Sequence, residues 1–90
     1  MRSSAYVAEY LGSFFFILAI LLSAGNPLVI GGSLALVVVL IGSISGAHVN
    51  PAVSIVQFLQ GSLRSADLLP FVAAQLLGGA SAVYAYRAAK

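Results

Sequence analysis

The sequence predicts an all-α membrane protein of three transmembrane helices plus one re-entrant half-helix. Three observations carry that expectation. The chain is 61% hydrophobic and 7% charged, whereas about a quarter of the residues in a soluble domain are charged. Apolar stretches near residues 5–24, 28–46 and 67–86 approach the length of about 20 residues that crosses a bilayer core. Between the second and third lies a polar interruption, Ser45-Gly46-Ala47-His48-Val49-Asn50-Pro51-Ala52-Val53-Ser54. Residues 1–90 are read as a single membrane domain.

Composition also excludes several functions. With no cysteine there is neither a disulfide nor a thiolate metal site. His48, the only histidine, cannot complete a metal site or a nucleophile-base set alone, and the acids Glu9 and Asp67 form no acid-base pair with it. Neither an enzyme nor a metal or other cofactor is expected. The net charge of +2 rests on four basic residues, too sparse for nucleic acid.

The first helix, about 5–24, follows a short polar lead containing Arg2. A signal peptide shares a basic start and an apolar run, but this run is long and contains Glu9. At the membrane centre a carboxylate costs about 2–3 kcal/mol, so Glu9 is expected to face protein or water. Gly12 and Ser13 leave the adjoining surface small enough for close helix approach. Gly25-Asn26-Pro27 is a turn, and the second helix spans about 28–46. Its Gly31, Gly32, Ser33 and Gly42 to Gly46 pair predict close-packing faces.

Asn50 is a good N-cap, and Pro51 suits the first helical position, where no N–H partner is needed. Gly61 closes the helix at about 50–60. At about 1.5 Å per residue it covers roughly half of a bilayer core about 30 Å thick. A half-helix with a membrane-deep N-terminus presents unpaired N–H groups and a positive dipole end at the midplane. The irregular backbone before it must face water or protein, never lipid. That combination describes a pore. The third helix, about 67–86, is expected to start with Asp67 as N-cap, which puts Pro70 in its first turn. Arg64 and Asp67 read as surface groups, and Tyr84 and Tyr86 as an interfacial belt.

The interruption at 45–54 resembles the first signature loop of the aquaporin and glycerol-facilitator (major intrinsic protein) family. Ala8-Glu9-Tyr10-Leu11-Gly12-Ser13-Phe14-Phe15 resembles that family's first helix, and Ala74-Gln75-Leu76-Leu77-Gly78-Gly79 its third. The resemblance covers nearly the whole chain and implies one inverted repeat of a pore that usually carries two. It implies that Glu9 and Gln75 brace the loop, and that backbone groups of Gly46, Ala47, His48 and Val49 line the pore. Asn50, Pro51, Ala52 and Val53 would then form the constriction, with Ile30 where the family often places an aromatic. The second repeat's signature is commonly followed by an arginine, but here Ala52 is followed by Val53. Aliphatic Val53 and Ile30 point to a less selective, more apolar constriction.

Counting crossings puts Arg2 and Arg64 on one side and Arg87 and Lys90 on the other, a tie in the charges that set orientation. The implied function is passive conduction of water or a small neutral, glycerol-like solute through the lipid bilayer. A second half-repeat completes the pore, as the same chain in antiparallel orientation or a different chain, with higher oligomers of such pores. Two rivals stand beside it: a non-conducting or heteromeric half-subunit, and a small dual-topology proton-coupled transporter using Glu9.

Overall fold

The computed structural model describes residues 2–90. In chain order the helices are α1 (Ser3–Leu22), α2 (Pro27–Ser45), α3 (Pro51–Leu59) and α4 (Ser65–Ala89). α1, α2 and α4 are long and apolar enough to cross a membrane, whereas α3 has only nine residues. α1 packs against both α2 and α4, and α3 leans on α4.

The helices bury their small and polar faces and turn their large apolar side chains outward. On α1 the buried residues are Ala5, Ala8, Glu9, Gly12 and Ser13, the spacing of one helical face. Val7, Leu11 and Phe15 of the same helix are exposed. The buried stripe of α4 is Asp67, Phe71, Gln75, Gly78 and Ala82. This inversion suits lipid, where apolar surface needs no covering and close backbone approach supplies the packing. Gly78 makes the closest approach, since a Cβ there would strike the Tyr10 carbonyl and come within 3.1 Å of Ser13 Cβ. A Cβ on Gly12 would lie 2.6 Å from Ile41 Cδ1 and 3.0 Å from Val49 Cγ1.

The turn after α1 ends in Asn26, whose side chain accepts from the amides of Leu28 and Val29, with Pro27 as the first residue of α2. Asn50 and Pro51 repeat the same device at the start of α3, where Asn50 Oδ1 accepts from Ala52 N at 2.8 Å. α3 ends at Gly61, φ +80°, with Ser62 N reaching back to Gln57 O at 2.8 Å. That 6→1 bond closes the helix in a Schellman motif and delivers buried Leu63 to a cluster with Ala5 and Phe71.

Three expectations are corrected. α4 starts at Ser65, capped by Arg64 without a side-chain bond, so Asp67 is not the N-cap and Pro70 lies inside the helix beyond the first turn. Asp67 is not a surface group either: it is buried, and its oxygens are taken by Tyr6 OH at 2.6 Å and Arg2 Nη1 at 3.0 Å. Those partners come from the far end of the sequence, which is why local capping logic missed them. Finally, Gly31 and Gly32 pack against nothing among the described residues, because of the described helices α2 meets only α1 and leaves its other faces open.

The two kinds of glycine predict opposite responses. Gly78→Leu is expected to separate α1 from α4 and lower stability by about 3 kcal/mol. Gly31→Ala is expected to stabilise, by up to about 1 kcal/mol. Reversible unfolding in mixed micelles, followed by circular dichroism, checks both.

Candidate functional site

The segment from Gly46 to Asn50 leaves the end of α2 and re-enters as α3. Gly46 (φ +89°) terminates α2, its N–H bonded to Gly42 O at 2.9 Å. Ala47 (φ +52°) and Val49 (φ +44°) are also left-handed, a conformation that costs a side-chain-bearing residue about 1–3 kcal/mol. Val49, being β-branched, is the more strained.

Glu9 compensates. Fully buried on α1, its carboxylate accepts from His48 N at 3.0 Å, Val49 N at 2.8 Å, Ser45 Oγ at 2.6 Å and Gln75 Nε2 at 2.8 Å. Every partner is a donor, as an ionised, acceptor-only carboxylate requires. Charge-assisted bonds of this kind contribute about 1.5–3 kcal/mol each, enough to hold two strained residues. Ser45 Oγ in turn accepts from Ala47 N at 3.1 Å.

Gln75 Nε2 also reaches Ser54 Oγ at 2.8 Å, and Ser54 Oγ lies 2.8 Å from His48 Nδ1. Having accepted from Gln75, the Ser54 hydroxyl still has its own hydrogen, and giving it to Nδ1 satisfies both groups. That assignment leaves His48 neutral with its hydrogen on Nε2. The ring rests 5.1 Å from that of Phe71.

A cavity lies on either side of this segment. One, of about 410 Å³, is lined by Arg2, Gly46, His48, Val53 and Gln57 among others. The other, of about 540 Å³, holds Asn50 and Pro51 together with Ser13, Val49 and Gln75. Ser13 and Gln75 line this second cavity, and their Oγ and Oε1 atoms are buried without a hydrogen-bond partner among the described residues.

Of the residues singled out from the sequence, Glu9, Gln75, His48 and Val49 meet in one hydrogen-bonded cluster, with Asn50 and Pro51 at its edge. Ala52 and Val53 are exposed on α3. Ile30, in the first turn of α2, lines neither cavity. Sequence reasoning passed over Ser45 and Ser54, the relays that complete the cluster. Ser54 carried a signal, being with Gln57 one of two polar residues on a mostly apolar half-helix.

Three membrane-length helices holding the start of a half-helix through a buried polar cluster define an integral membrane protein with a re-entrant segment. The chain belongs to the major intrinsic protein family, whose model matches residues 2–89. It is 39% identical over 83 residues to aquaporin-8 of Rattus norvegicus, covering 81% of this chain and 32% of that protein. It is 31% identical to glycerol uptake facilitator protein-like 6 of Lactiplantibacillus plantarum, covering 81% and 38%. Aquaglyceroporin AqpS of Rhizobium meliloti is 43% identical over 53 residues, 59% of this chain and 23% of AqpS. The chain thus spans about a third of the length of the first two relatives. No solved structure matches it.

Glu9→Gln keeps the side-chain size but turns an amide NH₂ toward donors, leaving at least one unpaired. The expected loss is about 3 kcal/mol or more, with faster hydrogen exchange at the His48 and Val49 amides than in α1. Unchanged protection of those amides would remove Glu9 from the account of the loop.

Proposed function

We propose that this half-repeat forms a passive channel for water or small neutral solutes of the glycerol kind. A second half-repeat of opposite orientation, supplied by another copy of the chain, completes the pore. The observation that carries this reading is the start of α3, with Asn50 and Pro51 facing one cavity and Val53 the other. Strained backbone is held open there by Glu9 where lipid-facing structure would close it.

Asn50 donates its side-chain NH₂ to no protein group among the described residues, because Oδ1 serves the cap. That amide and the N–H of Val53, left over once Asn50 has taken those of Ala52 and Ser54, suit the oxygens of water or a polyol. Opposed helix dipoles in a paired assembly raise a barrier to cations and protons. The carbonyls of the segment from Gly46 to Val49 offer a path of acceptors. Val53, aliphatic at the wall of the other cavity, favours a loosely selective constriction. Relatives named as an aquaporin, a glycerol uptake facilitator and an aquaglyceroporin bracket the same solute range.

Pairing is supported by the exposed start of α3, where Asn50 and Ala52 are uncovered by this chain, since the midplane end of a half-helix needs protein or water around it. The equal Lys/Arg tally across the bilayer lets copies insert both ways. In an antiparallel pair the two α3 starts meet nose to nose at the midplane.

Reconstituted vesicles given an osmotic step, followed by stopped-flow light scattering, test the reading. Wild-type vesicles are expected to shrink in water or glycerol gradients well ahead of empty ones, with Asn50→Asp losing most of the gain. Protein folded in the bilayer without any gain would overturn the homomeric channel in favour of a half-subunit that needs a different partner.

A further inference from the structure

Arg2 lies at the wall of the cavity that contains His48 and Val53, and among the described residues it is the only formally charged side chain lining that cavity. Its position is built. Nη1 donates to Asp67 Oδ2 at 3.0 Å, and its Cζ sits 5.5 Å from the centre of the Phe71 ring. Phe71 is itself fully buried, between Tyr6 and His48.

The ion pair is lopsided. Asp67 is 2% exposed, whereas the Arg2 side chain is 36% exposed. Both Asp67 oxygens are occupied, Oδ1 by Tyr6 OH and Oδ2 by Arg2, and Asp67 does not line the cavity. A cation entering there meets the guanidinium and has no carboxylate to bind. The remaining guanidinium N–H groups donate to no protein group among the described residues, so they are free for the oxygens of an entering solute.

We infer that Arg2 is the charge filter of this cavity: held by Asp67 and Phe71, it repels cations and offers hydrogen-bond donors to neutral solutes at the mouth. The filtering role rests on the channel reading above, whereas the positive field in the cavity does not. In an antiparallel pair the same group stands at both mouths, the two-fold-related ends of one pore. The cation barrier that Val53 does not provide then comes from the chain segment that leads into α1.

The absence of cysteine makes a direct test available. Val53→Cys places a single thiol in the cavity, and its rates of modification by an anionic and a cationic methanethiosulfonate reagent are measured at low salt, each relative to a free thiol. The anion-to-cation rate ratio is expected to exceed one, and Arg2→Gln to lower it about tenfold, the lower end of what a charged cleft does to local ion concentration. Arg2→Lys is expected to keep most of it. Asp67→Asn, which removes the compensating charge, is expected to raise the ratio, an opposite shift that general loosening of the fold would not produce. A ratio indifferent to Arg2→Gln, shifts of both variants in one direction, or a thiol unreactive to both reagents would overturn the inference. Osmotic flux through the same wild-type vesicles separates the two readings. Charge-dependent labelling without flux ends the channel and keeps the positive mouth; flux with charge-blind labelling does the reverse.

Discussion

The arrangement depends on one buried carboxylate. A chain that turns back inside a membrane must expose irregular backbone where no bulk water is at hand, and each unpaired N–H there costs several kcal/mol in hydrocarbon, by order of magnitude. Glu9 resolves this by accepting the amides of His48 and Val49 directly. The converse is as important, since an isolated carboxylate at that depth would be expelled or neutralised without donors around it. Loop and acid therefore require each other.

The packing around this pair follows from the same need for proximity. Gly12, one turn along α1 from Glu9, leaves room for Ile41 and Val49, and Gly78 lets α4 approach α1 until Gln75 reaches the Glu9 carboxylate. A larger side chain at either glycine would move a donor out of range. Most buried apolar residues gather in two small clusters, Ala5–Leu63–Phe71 and Val37–Ala47–Val49, and the polar network lies between elements that each cluster joins. Tyr10 OH to Ser81 Oγ, at 2.7 Å, adds a further polar tie between α1 and α4. Specificity of the fold thus resides in hydrogen bonds and close backbone contact, since apolar side chains gain little from one another in lipid.

Two Asn-Pro pairs illustrate what is local and what is not. Asn26-Pro27 and Asn50-Pro51 use the same cap chemistry, yet one begins a full crossing and the other a nine-residue half-helix. The difference lies downstream, in Gly61 and the Schellman closure that stops α3 early. Asp67 illustrates the opposite case. Its local preference for a helix start was overridden by Tyr6 and Arg2, because a buried acid takes the strongest donors available in three dimensions.

The sequence by itself determined the helix count, the half-helix and its cap, and the reason for Glu9, Gly12 and Ser13 to face protein. These are consequences of chain-local chemistry: apolar run length, Asn and Pro at a helix start, and the cost of an acid in lipid. Only the tertiary structure decided which donors Glu9 would take, that Ser45 and Ser54 would relay the network, and that Arg2 would face the cavity of Val53 while Ile30 would not. Those contacts join residues as far as 66 positions apart, and their choice depends on helix crossings set by Gly12 and Gly78, a geometry that spacing along the chain does not encode.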